Sequence, residues 1–205
     1  MTKGKCLIVA GGEYSPFSRD SYEYVIACDK GYEYCNMSKI TPDIVLGDFD
    51  SVKVSPDPSL KIITLPKIKD DTDTVYAVKY ALKQGFSDIT VHCAFGGRLD
   101  HTFANIQTAA YIIENGGTPH FTGTGTELYM IRNSSMLIKR RPDSYLSVFS
   151  YSEMCTGVTL KGLKYELTDA VISNAFPLGV SNEWFDDEAF IEIKNGTACI
   201  IISSK

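Results

Sequence analysis

Two aspartates one residue apart follow a short apolar run in this chain. The run at 44–46 ends at Gly47, and Asp48 and Asp50 come directly after it. Clustered carboxylate oxygens are the ligands that hard divalent cations prefer, and through such cations they orient phosphate groups. Glycine, aspartate and serine also form ordinary turns. The pair alone therefore leaves two interpretations open, a site for an ion or phosphate and a solvated turn.

A second acidic cluster precedes a helical pattern. The segment 69–74 reads Lys-Asp-Asp-Thr-Asp-Thr, with Asp70 and Asp73 three residues apart. Aspartate and threonine commonly cap a helix start, where the helix dipole also favours acids. Capping needs one or two such residues, and this segment has three acids and two threonines. Carboxylates in a cluster repel one another, so the surplus indicates a bound cation.

A glycine pair followed by arginine could bind an anion. Gly96, Gly97 and Arg98 lie between a predicted strand and a predicted helix. Glycines at a helix start let backbone amides approach phosphate closely, and arginine adds a two-pronged grip. The alternative is a tight turn in which Asp100 or Thr102 caps the helix.

A polar segment with the single tryptophan lies near the end of the chain. Ser181, Asn182 and Glu183 precede Trp184, whose indole face could bind a flat or cationic ligand. The alternative is a polar loop with a packed aromatic residue. The histidines indicate no catalytic pair of the serine–histidine–aspartate or cysteine–histidine kind, and only His101 stands close to the motifs above.

The first half of the chain must position the acidic and glycine motifs. Short apolar runs predict strands at 6–10, 24–28, 43–46, 61–65, 88–94 and 118–122. Apolar residues at helical spacing predict helices between the later strands. They are Val75, Val78 and Leu82 in one helix and Phe103, Ile106, Ala110 and Ile113 in the next. This alternation predicts an open α/β domain with a mostly parallel sheet, in which ligands bind beyond the carboxyl ends of the strands.

The second half changes character after Gly123. Helical periodicity disappears, and short strand-like runs recur at 128–131, 136–139, 145–149, 156–160, 189–194 and 197–202. Asn195-Gly196 favours a two-residue hairpin between the last two runs. We therefore expect an α/β domain at 1–124 and an antiparallel β-sandwich domain at 125–205.

Composition excludes several classes of function. The chain has 205 residues, a formal net charge of −5, and no basic run long enough for nucleic acid. No apolar run is long enough for a membrane span, and the first run is too short for a signal peptide. The six cysteines are scattered without a Cys-x-x-Cys spacing, which predicts reduced core residues and a cytoplasmic protein.

Taken together, the motifs resemble those of the bacterial thiamine pyrophosphokinase family. They span the chain in the family's order: Asp29-x-Gly31, Pro42-Asp43, Gly47-Asp48-Phe49-Asp50-Ser51, Lys69-Asp70-x-Thr72-Asp73, Gly97-Arg98-Leu99-Asp100-His101-Thr102-x-Ala104-Asn105 and Ser181-Asn182-Glu183. The resemblance implies a nucleotide-binding α/β domain followed by a β-sandwich. It also implies transfer of pyrophosphate from ATP to thiamine, giving thiamine diphosphate and AMP.

The resemblance further implies roles for individual residues. Those expected to hold Mg²⁺ and orient the phosphates are Asp48, Asp50, Asp73 and Asp100, with Arg98 as the counter-charge for the transferred group. Those expected to bind ATP are Asp29, Asp70, Thr72, Gly97, Arg98, His101 and Asn105. Those expected to meet thiamine are Ser181, Asn182 and Trp184. A homodimer with the thiamine sites at its interface is implied by resemblance alone.

Two other hypotheses fit part of the pattern. A magnesium phosphohydrolase could use Asp48 as a nucleophile, although the first strand carries no such acids. A sensor could bind nucleotide or thiamine without turnover. Release of AMP that depends on thiamine distinguishes the kinase from both.

Overall fold

The chain forms two compact units, Met1–Thr124 and Gly125–Lys205. The computed structural model describes residues 3–49, 56–66 and 70–205. Across this described part, no helix combines the length and the apolar character that crossing a membrane would require.

Unit 1 is built on parallel strands. They are β1 (Lys5–Val9), β2 (Tyr24–Cys28), β3 (Ile44–Gly47), β4 (Ile62–Thr64), β5 (Asp88–His92) and β6 (Thr118–Gly123). Their order is β6-β5-β1-β2-β3-β4, and every pair among them is parallel. The strand order therefore reverses at β1, so that β1 and β5 flank the point at which an open α/β sheet offers a binding crevice.

In the described part of unit 1, three helices accompany this sheet: α1 (Gly31–Met37), α2 (Asp73–Lys83) and α3 (Leu99–Glu114). The predicted inward stripes are only partly right. In α2 the fully buried residues are Ala77, Val78 and Ala81, and α3 leaves Phe103 59% exposed. Small residues face the sheet because they let the helix approach it closely. The short helix α1 was not predicted, since seven residues carry little periodicity.

Unit 2 consists of antiparallel strands in two sheets. The first contains β7 (Thr126–Arg132), β9 (Ser144–Ser150), β12 (Gly179–Asn182) and β14 (Thr197–Ser204). The second contains β8 (Ser135–Lys139), β10 (Met154–Lys161), β11 (Leu167–Ser173) and β13 (Glu188–Glu192). Both contribute apolar side chains to one core, including Leu146 and Ile200 from the first and Ile138 and Ile191 from the second. The predicted β-sandwich is confirmed.

The hairpin predicted at Asn195-Gly196 is wrong. Strand β13 pairs with β8 and β10, whereas β14 pairs with β7 and β9, so the chain crosses from one sheet to the other at this point. Ile191 and Ile200 enter the same core from opposite sheets. The Gly196 amide bonds to Asn133 Oδ1 at 2.8 Å and the Asn195 amide to Thr156 O at 3.1 Å, which secures the crossing.

Candidate functional site

A cleft of about 560 Å³ opens where the strand order of unit 1 reverses. Its lining comes from loops after β1, β2 and β5 and from the starts of α2 and α3. The residues are Ala10, Gly11, Gly12, Glu13, Cys28, Asp29, Lys30, Thr72, Asp73, Thr74, Ala94, Gly96, Gly97, Arg98, His101, Ala104 and Asn105. The sequence places the glycine and acidic motifs at these strand ends, and the fold brings several of them together.

Two acids of this cleft lie in direct contact. Asp29, just beyond β2, is hydrogen-bonded to Asp73, the first residue of α2. Burial, followed by that bond and by the negative charge of Asp73, raises the pKa of Asp29 to about 7. Asp48 adds a smaller effect in the same direction. Asp73 and Asp48 therefore disfavour the ionised form of the Asp29 carboxyl group, an effect that a bound cation would relieve.

The segment after β3 turns back toward Asp29. Its residue Phe49 has a φ of 59°, and the Phe49 amide donates to Asp29 Oδ1 at 3.2 Å. Asp48 is half-buried at this turn. Asp50 and Lys69 lie outside the described residues, so the predicted role of Asp50 stays a prediction.

Backbone pairing between two loops forms one wall of the cleft. The Gly12 amide donates to Cys93 O at 2.9 Å, and the Glu13 amide donates to Phe95 O at 2.8 Å. A Cβ on Gly12 would lie 2.4 Å from Cys93 O, so only glycine allows this approach. Backbone hydrogen bonds thereby hold the loops after β1 and β5 together beside the glycine pair at 96–97.

The cations of the cleft are Arg98 and Lys30. Arg98 is exposed and pairs with Asp100, with Nε 3.1 Å from Oδ1, and this contact lowers the pKa of the Asp100 carboxyl. Lys30 Nζ lies 5.3 Å from the ring centroid of Tyr34, whose hydroxyl donates to Gly12 O at 2.7 Å. Two positive side chains therefore stand at the same cleft as the acidic pair.

The other residues predicted to bind ATP differ in where they lie and in whether they line the cleft. Thr72 caps α2 by accepting a bond from the Val75 amide at 3.2 Å, and it lines the cleft with Gly97 and His101. Asn105 is buried and donates from Nδ2 to Ala94 O at 2.7 Å. Asp70 is exposed and does not line the cleft.

Asn105 therefore fastens α3 to the loop after β5. This bond leaves its carbonyl oxygen Oδ1 as the atom with which it could meet a ligand.

In unit 2 the predicted thiamine residues already have partners. Asn182 Oδ1 accepts from the Tyr165 amide at 2.9 Å, and its Nδ2 donates to Tyr165 O at 2.7 Å. Trp184 is half-buried against the core, and its Nε1 donates to Ser144 Oγ at 3.0 Å. Ser181 is exposed at a φ of 54°. Both Asn182 and Trp184 thus have structural roles, and their contact with thiamine stays a prediction.

The predicted cluster of four aspartates is not assembled within the described residues. Asp73 lies with Asp29, whereas Asp100 pairs with Arg98. Across 3–49, 56–66 and 70–205, no three histidine, cysteine, aspartate or glutamate side chains are arranged to hold a metal ion. The donor chemistry still suits Mg²⁺, because Asp48 and Asp73 offer hard carboxylate oxygens and both raise the pKa of Asp29 between them.

Sequence reasoning missed several residues of the cleft, among them Gly12, Glu13 and Lys30. The glycine exit from the first strand was a visible signal for the first two. Lys30 follows Asp29 directly, but a single lysine after a strand carries no specific signal. Its place in the cleft depends on the pairing of β1 with β2, which the sequence does not state.

Comparison with known families gives two matches along the chain. The family model described as "Thiamin pyrophosphokinase, catalytic domain" matches residues 18–118. The model described as "Thiamin pyrophosphokinase, vitamin B1 binding domain" matches residues 135–198. The two matches fall in the two units described above.

Individual relatives agree with these matches. The chain is 26% identical to thiamine pyrophosphokinase of Bacillus subtilis (strain 168), over 96% of this chain and 97% of that protein. A crystal structure of thiamine pyrophosphokinase from Bacillus subtilis has a TM-score of 0.88 at 25% identity, covering 98% of this chain and 99% of the other. The corresponding structure from Geobacillus thermodenitrificans has a TM-score of 0.85 at 25% identity, covering 98% of both chains.

Proposed function

This chain belongs to the thiamin pyrophosphokinase family, and we propose that it carries out the reaction of that family at the cleft of unit 1. The enzyme transfers the pyrophosphate group of ATP to thiamine and produces thiamine diphosphate and AMP. The observation that carries the assignment to this cleft is the contact between Asp29 and Asp73 in a cleft that Arg98 also lines, at the point where the strand order reverses.

In this proposal the cleft binds ATP through its glycine loops and its cations. Gly12, Gly96 and Gly97 let backbone approach the phosphates, because no side chain intervenes. Arg98 exchanges its contact with Asp100 for a phosphate oxygen, and Lys30 offers a second positive charge in the cleft. Positive side chains stabilise the charge that develops on the phosphate oxygens as the transfer proceeds.

The thiamine hydroxyl oxygen attacks the β-phosphorus of ATP. The new oxygen–phosphorus bond forms while the bond from the β-phosphorus to the AMP oxygen breaks. A carboxylate of the acidic group takes the hydroxyl proton, and AMP leaves with the negative charge on its phosphate. The protein's part is to hold the hydroxyl in line with that bond, which removes much of the entropic barrier.

Asp48 and Asp73, together with Asp50 and Asp100, are the residues that would hold Mg²⁺. When bound, the ion neutralises phosphate charge during the transfer. The negative charges of Asp73 and Asp48, which both raise the pKa of Asp29, support this assignment. The other predicted contacts to ATP are those of Asp29, Asp70, Thr72, His101 and Asn105, of which all but Asp70 line the cleft.

We assign thiamine binding to unit 2, with Ser181, Asn182 and Trp184 as the candidate contacts. The match of residues 135–198 to a vitamin B1 binding domain supports this. We also propose a homodimer in which the thiamine sites lie at the interface. A cytoplasmic location fits the six cysteines, which are all free thiols.

The experiment that tests the proposal measures AMP released from ATP with and without thiamine in the presence of Mg²⁺. We expect AMP and thiamine diphosphate in equal amounts, and no AMP without thiamine. Tight binding of both substrates without AMP at any Mg²⁺ concentration would show a sensor. A trapped aspartyl-phosphate would show a phosphohydrolase.

A further inference from the structure

Asp29 connects the two segments that carry the acids of the cleft. From the geometry we infer that Asp29 is a positioning residue: its side chain holds the turn at Asp48 and Phe49 and the start of α2 in place, and it makes no contact with ATP. This inference rests on the proposed function. It replaces the ATP contact expected for Asp29 with an action through its neighbours.

The backbone at Asp29 is fixed in an uncommon conformation. Its φ is 43°, in the left-handed region that costs most residues free energy, and aspartate is among the side chains that tolerate it. The Asp29 amide donates to Leu46 O at 2.9 Å, which ties the end of β2 to the end of β3. The side chain is thereby directed across the end of β3.

The carboxyl group then organises the turn that follows β3. Asp29 Oδ1 accepts from the Phe49 amide at 3.2 Å, and Phe49 also has a left-handed φ, of 59°. A Cβ on Gly47 would lie 1.7 Å from this same Oδ1. Gly47 is therefore required so that the carboxyl group can lie against the strand end and reach Phe49. Asp48 lies between these two contacts.

The same carboxyl group reaches the start of α2. It is hydrogen-bonded to Asp73. The backbone carbonyl oxygen of Asp73 also lies 3.8 Å from Sγ of Cys28, the residue that precedes Asp29 in the chain. One side chain thus contacts the turn at Asp48 and the residue Asp73. A side chain that is occupied on both sides is better suited to set the spacing of its neighbours than to bind phosphate.

Replacement of Asp29 by asparagine or alanine separates positioning from direct binding. Asparagine keeps an oxygen for the Phe49 amide and places an N–H toward Asp73, whereas alanine removes both contacts. We expect Asp29→Ala to lower kcat by roughly 10- to 100-fold and to raise the Mg²⁺ concentration for half-maximal rate by a similar factor. In Asp29→Asn, both kcat and the Mg²⁺ requirement should return most of the way to the wild-type values. The KM for ATP should stay within about threefold of the wild-type value in both variants.

A second variant and a readout without turnover keep the test independent of activity. Gly47→Ala places a methyl group where Asp29 Oδ1 lies and should reproduce the loss seen in Asp29→Ala. Mn²⁺ binding, followed by paramagnetic resonance in the presence of an ATP analogue with a methylene bridge between the α- and β-phosphorus, should weaken in Asp29→Ala and Gly47→Ala. It should recover in Asp29→Asn.

Asp169→Ala is the matched control, because Asp169 also has a left-handed φ, of 49°, and its side chain is exposed in unit 2. Its kcat and Mn²⁺ binding should match the wild type. If Asp29→Asn is as impaired as Asp29→Ala while the wild type releases AMP normally, the inference is wrong and the charge of Asp29 acts directly. If the wild type releases no AMP with thiamine, the proposed function itself fails. Retained Mn²⁺ binding in both Asp29→Ala and Gly47→Ala would also overturn the inference.

Discussion

Asp73 combines two opposing effects in one side chain. It starts α2, where the helix dipole favours an acid, yet its hydrogen bond and its charge raise the pKa of the neighbouring Asp29 carboxyl group. A carboxyl group whose pKa is raised by a second acid in the same cleft is typical of a functional site.

We expect Asp73→Asn to lower kcat by roughly 10²-fold or more, because it removes a charge from the group proposed to hold Mg²⁺. The melting temperature without metal should stay the same or rise slightly, since the repulsion with Asp29 is relieved. Release of AMP with thiamine and thermal unfolding of the metal-free protein measure the two effects. Near-normal turnover would contradict the metal assignment.

Trp184 has two possible roles that a pair of variants can separate. As a packing residue it joins the core of unit 2 and bonds to Ser144 Oγ, so Trp184→Ala should reduce the free energy of unfolding by about 2–3 kcal/mol. Trp184→Phe keeps most of the ring and should lose less. As a thiamine contact it should instead raise the KM for thiamine by an amount worth about 1–2 kcal/mol. Urea unfolding and thiamine kinetics on both variants decide between the roles.

At the scale of elements, close approach of loops builds the cleft. The loop after β1 lies so near the loop after β5 that a methyl group on Gly12 would overlap Cys93 O. Gly11, its neighbour, has only Lys30 Cβ nearby, at 3.5 Å. Adjacent glycines in one loop therefore differ sharply in what they tolerate.

Gly12→Ala should reduce the free energy of unfolding of unit 1 by about 1–3 kcal/mol, because the added methyl group must push two backbones apart. Gly11→Ala is the matched control and should change it by less than about 1 kcal/mol. Chemical denaturation of both variants tests this. Equal stability of the two would show that the loop pairing adjusts without cost.

His92 fixes the loop between β1 and β2. Its ring nitrogens are hydrogen-bonded to Ser15 and the Thr122 hydroxyl, and the tilted ring of Phe17 packs against it at 4.9 Å between centroids. Cys93 and His120 are the titratable groups nearby. Burial is the main cause that lowers the pKa of His92 below its ordinary value. Below about pH 6.5, His92 therefore binds a proton more readily in the unfolded chain than in the folded protein.

Folding stability should consequently fall as the pH drops below about 6.5, by at most about 1.4 kcal/mol per pH unit from this residue. His92→Gln removes the titrating ring and should reduce that slope. Urea midpoints of both proteins at pH 7.5 and 5.5 measure it. An unchanged slope in the variant would assign the pH dependence to other groups.

Several elements could be predicted from sequence, and others could not. Strand β2 matches its prediction. A buried strand can be recognised as a short run of apolar residues between turn-forming residues, without any alternation of apolar and polar positions. The segment at 195–196 failed because the local preference for a hairpin was overridden by burial of Ile191 and Ile200 from two different sheets. In α3 the buried face includes Asn105 and Thr108, polar residues that no apolar stripe could reveal.

At the scale of the whole molecule, several residues of the cleft could be predicted from the sequence, but their pairing could not. The acids are visible in sequence because each follows a strand or starts a helix. That Asp73 would meet Asp29 depends on the order in which the strands are placed, with β1 between β2 and β5. Partners of this kind are set by topology, which no local pattern contains.

The proposed homodimer, with thiamine sites at its interface, makes a prediction about mixed subunits. An Asp73→Asn subunit and a Ser181→Trp subunit should each be inactive as homodimers, since one lacks a cleft residue and the other has a blocked thiamine site. Dimers of the two should regain one intact site out of two, so random mixing should restore about a quarter of wild-type activity. No recovery, with mixed dimers verified by mass, would place both residues' roles within one subunit.

Burial of all six thiols has a practical consequence for spectroscopy. Burial raises the pKa of Cys6, Cys35 and Cys199 to about 12, so at neutral pH these side chains hold almost no thiolate, the form that alkylating dyes attack. A cysteine placed at an exposed position such as Leu99 would therefore take up a fluorophore selectively in the native protein. Distances between labelled positions could be followed during turnover without first removing the natural cysteines.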